Sequence, residues 1–152
     1  MAKKLERTID IDAPPEDVYD ILTDPERLGD WVTIQEELVR APKPPLKKGD
    51  EIVQKMKVAG RKFKVTWDVE VADRPNKVRW TGGGPMGSKA MATYELDPNG
   101  NGGTRFSYVN EYDLPGGPLG RIAGRALVAA SGTEADHTLE RLKKLVESHS
   151  DG

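Results

Sequence analysis

The chain has 152 residues, and its 23 lysines and arginines nearly balance its 25 aspartates and glutamates, for a formal net charge of -2. This length favours one domain over residues 1–152, and the near-neutral charge disfavours nucleic-acid binding, which needs a basic surface. The absence of cysteine excludes disulfides, thiolate zinc sites and cysteine nucleophiles. Because the sequence has neither a bilayer-spanning apolar run nor a signal-peptide core, we expect a cytoplasmic protein without membrane insertion. We also expect a monomer or weak homodimer.

The N-terminal segment predicts one strand followed by two short helices. From Leu5 to Asp12, apolar and polar residues alternate with the period of a half-buried strand. Asp12 then precedes two prolines and two acidic residues, and we expect it to cap a helix. The phrase Thr23-Asp24-Pro25-Glu26 repeats this start signal and predicts a second short helix that runs toward Trp31.

A run of strands follows, in which every second residue is apolar. A predicted strand begins at about Glu36 and ends at the proline-rich stretch 41–45. A predicted hairpin follows over residues 52–71. We expect Val71 to be the last residue on the apolar side of this hairpin. Further strands are predicted around residues 78–80, 90–96 and 104–112, between turns rich in glycine, proline and asparagine. The pattern predicts an antiparallel meander.

The C-terminal part of the chain changes to a helical period. Apolar residues recur at spacings of three and four from Leu119 to Val146, which predicts a long amphipathic helix. Gly132 lies inside this pattern, and glycine in a helix interior costs about 1 kcal/mol relative to alanine, so we expect a kink or break there. Together the elements predict an α+β fold in which this helix covers the apolar face of the sheet.

The stretch from Ile9 to Leu28, with its two proline-containing helix starts, together with Trp31 and the order of elements, resembles the START-like superfamily, often called SRPBCC. Within it the chain is most similar to the bacterial polyketide cyclase/dehydrase-like group, which shares its fold with the birch pollen allergen family. The resemblance covers nearly the whole chain. It implies a helix-grip fold, in which a curved antiparallel sheet wraps around the C-terminal helix and leaves an apolar cavity between them.

Small residues in the first half of the helix face aromatic residues of the strands, and this pairing has two interpretations. Either the alanines accept the rings and the interior packs solid, or a space remains for a mostly apolar ligand, oriented by tyrosine hydroxyls and an asparagine. The resemblance favours the second. The predicted lining residues are Met56, Phe63, Trp67, Trp80, Tyr94, Tyr108, Asn110, Tyr112, Ile122 and Ala126.

The sequence assigns no catalytic residue. Of the other polar residues that could line the cavity, we expect four only at an edge or at its mouth: Arg7, Gln54, Arg79 and Glu111. The two histidines, His137 and His149, fall outside the apolar stripe of the helix, and no cluster has the spacing of metal ligands, so we expect neither a metal nor a cofactor.

The glycine-rich stretch from Gly82 to Gly87 lacks the lysine and hydroxyl of a phosphate loop. We interpret it as a flexible turn that forms a rim of the cavity. The second glycine group, Gly116-Gly117, is interpreted as a hinge leading into the helix.

The first functional hypothesis is binding of a hydrophobic or aromatic small molecule, lipid-like or polyketide-like, because binding needs only a lined space. The second, which the resemblance implies, is a polyketide cyclase/dehydratase (aromatase/cyclase) acting in the same cavity without metal or cofactor. It would require a poised acid or base. A third is an interaction domain that resembles the superfamily's co-chaperone relatives. A fourth, sequestration of a toxic metabolite, is known in the superfamily but has no motif here.

Overall fold

The computed structural model describes residues 3–58, 60–84, 87, 89–113 and 118–150, with side chains for all of these except 3, 58, 61, 112, 118–131, 149 and 150. In this part of the chain the strands are β1 (Lys3–Ile11), β2 (Gln35–Arg40), β3 (Glu51–Val58), β4 (Arg61–Asp73), β5 (Lys77–Gly83), β6 (Lys89–Pro98) and β7 (Thr104–Asp113). The helices are α1 (Pro15–Leu22), a 3₁₀ helix (Pro25–Arg27), α2 (Leu28–Trp31) and α3 (Pro118–Ser150).

The strands form one antiparallel sheet in the order β1-β7-β6-β5-β4-β3-β2. Strands β2 to β7 are the predicted meander, and β1 pairs with β7 along its whole length, from Lys3↔Tyr112 to Ile11↔Thr104. Because β1 and β2 lie at opposite edges, α1 and α2 carry the chain from one edge of the sheet to the other. The sheet is curved and, with α3, confirms the predicted α+β fold class.

The two helix starts differ in how they are capped. Asp24 caps the 3₁₀ helix as predicted, since its side chain accepts a hydrogen bond from the Glu26 N–H at 3.1 Å. The prediction that Asp12 caps α1 was wrong. The N-cap of α1 is Pro14, without a side-chain hydrogen bond, and the Asp12 N–H donates to Glu147 Oε2 of α3 at 2.8 Å. Asp12 therefore fastens the end of β1 to α3 instead of starting a helix.

A bulge in β4 changes which residues face the interior. Val71 pairs with Arg79, and Ala72 pairs with Val78, which is fully buried. Because opposed residues of a ladder point to the same side of the sheet, Ala72 takes the inner position and Val71 the outer one. The prediction that Val71 continues the apolar face was wrong, since strict alternation does not allow for the extra residue of a bulge.

Helix α3 runs from Pro118 to Ser150 without a break at Gly132; of the two predicted alternatives, the break was wrong and the kink stays a prediction. A Cβ atom at Gly132 would lie 3.5 Å from Arg7 Nη2 of β1. This is an ordinary van der Waals distance, so an alanine could also stand beside the arginine. In the described part of the chain, no helix has the length and apolar character needed to cross a bilayer.

The C-terminal half of α3 packs with α1, α2 and β1, and we call this region, α1, α2 and residues 132–148, the closed end. Its buried α3 residues are Ala135, Thr138, Leu139, Leu142 and Val146. Polar contacts hold the helix on two sides. Arg7 Nε pairs with Asp136 Oδ1 at 2.8 Å, and the Thr33 N–H donates to Thr138 Oγ1 at 3.1 Å. The closed end thus combines aliphatic packing with paired polar groups.

Candidate functional site

The predicted lining residues on the strands lie together on the inner face of the sheet. Phe63 is half-buried, and the others are at least nine-tenths buried: Met56, Trp67, Trp80, Tyr94, Tyr108 and Asn110. They occupy alternate positions on β3 to β7, as the two-residue period of a strand requires. We call these seven residues the aromatic face. The side chains of Tyr112, Ile122 and Ala126 lie outside the described residues, and their place in the site stays a prediction.

Four of the five rings of the aromatic face contact one another in a continuous series across four strands. The centroids of Trp67 and Trp80 are 6.2 Å apart, and those of Trp80 and Tyr94 are 5.7 Å apart in an edge-to-face arrangement. Tyr94 stacks on Tyr108 at 5.4 Å with an interplanar angle of 15°. Ring pairs at such distances stabilise by about 0.5–1.5 kcal/mol beyond the area they bury. The series therefore forms a continuous wall of rings.

Ala92 lies at the centre of this wall, and its side chain is a single methyl group. It pairs with Trp80 on one side and with Asn110 on the other. Opposed Cβ atoms in an antiparallel pair are about 4.5–5.5 Å apart, and the Ala92 methyl, 2% exposed, is smaller than the indole and the amide beside it. We call this position of the inner face the Ala92 recess. Sequence reasoning located small residues on the helix but missed this one on the sheet, although it stands at an inner position of the predicted strand.

Gly82 shapes the neighbouring part of the wall. The prediction of a flexible turn from Gly82 onward was wrong for its first two residues, because β5 extends to Gly83 and Gly82 pairs with Trp67. A Cβ atom at Gly82 would lie 2.6 Å from Trp67 Cε3, which is too short for two non-bonded carbon atoms. Glycine is needed here so that the indole can lie against the strand.

A buried polar chain extends from the aromatic face to β2. Trp67 Nε1 donates to Gln54 Oε1 at 2.8 Å, and Gln54 Nε2 donates to Gln35 Oε1. Gln54 is 2% exposed, so the expectation that it lies at an edge or the mouth was wrong. Its acceptor oxygen satisfies an indole N–H that would otherwise be buried without a partner.

The remaining polar residues fall into two groups. On the inner side, Asn110 Nδ2 donates to the Tyr108 hydroxyl, and Arg7 is held by Asp136 in a partly exposed ion pair between β1 and α3. Arg79 and Glu111 lie on the outer side of the sheet, since they alternate with the inward Trp80 and Asn110. Of the four residues expected at an edge or mouth, only Arg7 is both on the inner side of the sheet and partly exposed.

Two helix residues have clearly shifted pKa values, Tyr19 of α1 and Glu147 of α3, and neither belongs to the aromatic face. Burial raises the pKa of the Tyr19 phenol on α1, and the charges of Asp73 and Asp20 raise it further. The Lys143 ammonium, with the Asp12 N–H, lowers the pKa of Glu147. Among the described residues, no three His, Asp or Glu side chains converge as metal ligands. The seven residues of the aromatic face are all of uncharged types.

A separate surface cleft of about 440 Å³ lies along the outer side of α3, lined by Thr33, Glu134, His137, Glu140, Arg141 and Lys144. His137 is exposed there, as its position outside the apolar stripe predicts. None of the lining residues belongs to the aromatic face. The mixture of acidic and basic side chains is typical of a solvated helix surface.

Sequence comparison relates the chain to other proteins over most of its length. Residues 2–147 match the family described as "Polyketide cyclase / dehydrase and lipid transport". The chain is 32% identical over 127 residues to the uncharacterized protein Rv1546 of Mycobacterium tuberculosis, an alignment that spans 81% of this chain and 87% of the relative.

Two solved structures share the fold at low sequence identity. The Zhui aromatase/cyclase from Streptomyces sp. R1128 superposes with a TM-score of 0.80 at 14% identity, over 97% of this chain and 94% of that one. The protein TTHA0849 from Thermus thermophilus superposes with a TM-score of 0.78 at 22% identity, over 97% and 99% of the two chains. These similarities show a common fold.

Proposed function

Since the chain belongs to the polyketide cyclase/dehydrase and lipid-transport family, as its sequence resemblance predicted, we propose that it binds a hydrophobic or aromatic small molecule of lipid-like or polyketide-like character. The ligand lies between the aromatic face and the N-terminal half of α3. The observation that carries this proposal is the recess at Ala92, bordered by Trp80 and Asn110 on the inner face of the sheet. A lined apolar space with a few polar groups is the usual form of a small-molecule site.

The expected affinity follows from the apolar area that a ligand buries. A probe of three fused rings that buries about 300 Å² gains on the order of 7 kcal/mol from burial at about 25 cal/mol per Å². Association costs reduce this gain, and fixed hydrogen bonds restore part of it. We therefore expect dissociation constants no tighter than about 10 μM for simple aromatic probes, and tighter binding for a natural ligand that buries more area.

Titration with the neutral dye N-phenyl-1-naphthylamine tests the proposal. We expect saturable fluorescence enhancement with the wild-type protein. Ala92→Leu fills the recess and weakens binding at least tenfold, while the protein stays folded. Thr93→Leu is the matched control, because Thr93 is the next residue on β6, pairs with Arg79 and lies on the outer side. Equal binding by the wild type and Ala92→Leu, or no binding by the wild type, contradicts the proposal.

A second candidate, cyclisation or dehydration of a polyketide-like ligand in the same place, is favoured by the hydrogen bond from Asn110 to the Tyr108 hydroxyl. A hydroxyl that accepts a hydrogen bond is polarised and becomes a better proton donor. Tyr108→Phe is then expected to slow the formation of aromatic product from a poly-β-keto thioester without unfolding the protein. Unchanged product formation would exclude Tyr108 as the acid.

A further inference from the structure

The three tryptophans of the chain differ in how their indole N–H groups are satisfied. The Trp67 N–H donates to Gln54, as described above. In contrast, Trp31 Nε1 and Trp80 Nε1 are buried with no hydrogen-bond acceptor in the described part of the structure. Folded proteins seldom leave a buried donor in this state, because the group has lost the hydrogen bonds that water gives it in the unfolded chain. Each such group calls for an explanation.

Trp80 is the one of these two residues that belongs to the aromatic face. It is 3% exposed, lies at an inner position of β5 and pairs with Ala92, whose methyl forms the floor of the recess. Its ring contacts Trp67 and Tyr94. Trp31, the last residue of α2, belongs to the closed end; its ring contacts Tyr94 edge-on at 6.3 Å, but it is not a strand residue and does not pair with Ala92. The unpaired donor at the recess is therefore the Trp80 N–H.

The surroundings of Trp80 restrict the kind of acceptor that can reach it. The side chains opposed to it in the sheet, Val69 and Ala92, and its two ring neighbours are all uncharged. A carboxylate or phosphate placed among them would lose its hydration without gaining a counter-charge. A neutral oxygen, such as a ketone or quinone carbonyl, accepts one N–H hydrogen bond and otherwise tolerates an apolar setting.

We propose that Trp80 Nε1 is a specificity-determining hydrogen-bond donor that selects ligands carrying a neutral carbonyl oxygen at the Ala92 recess. This inference rests on the proposed function, since it requires that a ligand occupy the recess. The carbonyl satisfies the indole donor, and an otherwise identical hydrocarbon leaves it unpaired. The site therefore distinguishes the two by one hydrogen bond, while the ring surfaces bind both.

The pair 9-fluorenone and fluorene tests this, because the two molecules share one ring skeleton and differ by a carbonyl. Their affinities are measured by displacement of N-phenyl-1-naphthylamine from the wild type, Trp80→Phe and Trp31→Phe. We expect the wild type to prefer fluorenone, and Trp80→Phe to reduce the ratio of the two affinities about three- to tenfold, the value of one neutral hydrogen bond. Trp31→Phe, the matched control, leaves the ratio unchanged.

The possible results separate this inference from the proposed function. If both probes bind the wild type but Trp80→Phe leaves their ratio unchanged, or if only Trp31→Phe lowers it, the assignment to Trp80 is overturned and the proposed function stands. If neither probe binds the wild type, the proposed function and this inference fall together.

A second measurement on the wild-type protein covers the case in which Trp80→Phe does not fold. In ¹H–¹⁵N spectra the three tryptophans give three indole signals. Fluorenone is expected to move the Trp80 indole proton downfield, as a new hydrogen bond does, while fluorene moves it less and the Trp67 signal keeps its position. Equal displacement of the Trp80 signal by both probes would overturn the inference.

Discussion

The closed end buries mainly aliphatic side chains, whereas the aromatic face buries rings around a single methyl group. At the closed end, Leu142 and Val146 of α3 are fully buried and the Thr33 N–H donates to Thr138, while the buried Trp31 N–H has no acceptor in the described part of the chain. On the aromatic face, a methyl group stands between an indole and an amide, and the Trp80 N–H is buried without a partner in the described part of the chain.

Under the proposed function, the closed end provides stability and the aromatic face provides recognition. Close aliphatic packing contributes free energy through burial and leaves no role for a guest. A wall of rings with a recess and an unpaired donor gives up some of that stability, as functional sites commonly do. Substitutions at the two places should therefore have different consequences, and their sizes can be ranked.

The largest effect is expected for Leu142→Ala at the closed end. Leu142 is 0% exposed, and removing a fully buried leucine side chain costs about 3 kcal/mol through lost burial and the remaining cavity. Urea denaturation measures the loss, and dye binding by the folded protein should stay near the wild-type value. Leu145→Ala, at a partly buried neighbour, should cost less than half as much. Equal costs at the two positions would show that the closed end is not tightly packed.

Gly82→Ala is expected to reduce both stability and binding, because the new methyl group would collide with the Trp67 ring. Overpacking of this kind costs about 1–3 kcal/mol, and displacement of the indole also breaks its hydrogen bond to Gln54. Gly83→Ala is the control, since a Cβ atom at Gly83 would meet no atom within 4 Å. If Gly82→Ala unfolds at the same urea concentration as Gly83→Ala, a methyl group at position 82 does not collide with the Trp67 ring.

Gln54→Leu should destabilise by about 1–2 kcal/mol, the cost of leaving the buried Trp67 N–H without its acceptor. The change keeps approximately the same side-chain volume, so packing contributes little. Thermal unfolding measures the effect, and the Trp67 indole proton should move upfield as its hydrogen bond is lost. Wild-type stability together with an unmoved indole signal would mean that Gln54 does not accept that bond.

The smallest effect is expected for Glu147→Gln. The Lys143 ammonium and the Asp12 N–H lower the pKa of Glu147 in the folded state. A carboxylate with a lowered folded pKa stabilises the protein above its unfolded pKa, and this contribution is lost as the pH falls through the folded value. Because the pair is partly exposed, we expect the wild type to exceed the variant by less than about 1 kcal/mol at pH 7.

The difference in stability between wild type and Glu147→Gln should shrink as the pH falls below about 4.5, the ordinary glutamate pKa. Urea denaturation at pH 7 and at pH 3 measures it. A difference that is constant over this range would show that the carboxylate charge does not contribute.

Much of the fold was predictable because its signals are local. The alternation on β4 to β7 predicted which aromatic residues share one face. The position of Asp24 before a proline predicted a helix start there. The pairing of β1 with β7 joins residues as far apart as Lys3 and Tyr112, and no local pattern encodes that choice. The family resemblance supplied the helix-grip fold but not the register.

Parts of the site that depend on contacts between strands were not predictable. The sequence around Gly82 predicts a turn, and only the structure shows that the Trp67 ring packs against this residue. The sequence likewise predicts Gln54 at an edge, and only the structure shows that its oxygen accepts the Trp67 N–H hydrogen bond. Asp12 has the sequence of a helix cap, but its N–H is taken by Glu147 from the other end of the chain. In each case, the role of a residue is determined by a contact with a residue distant from it in the sequence.

The most direct test of ligand binding at the aromatic face uses two buried alanines, Ala92 at the recess and Ala135 at the closed end, which are 2% and 3% exposed. A protein with ¹³C-labelled alanine methyl groups is saturated with fluorene, and intermolecular NOEs from the ring protons are recorded. The account predicts strong NOEs to the Ala92 methyl and none to that of Ala135. Bound fluorene that shows NOEs to Ala135 or to surface alanines, and none to Ala92, would contradict it.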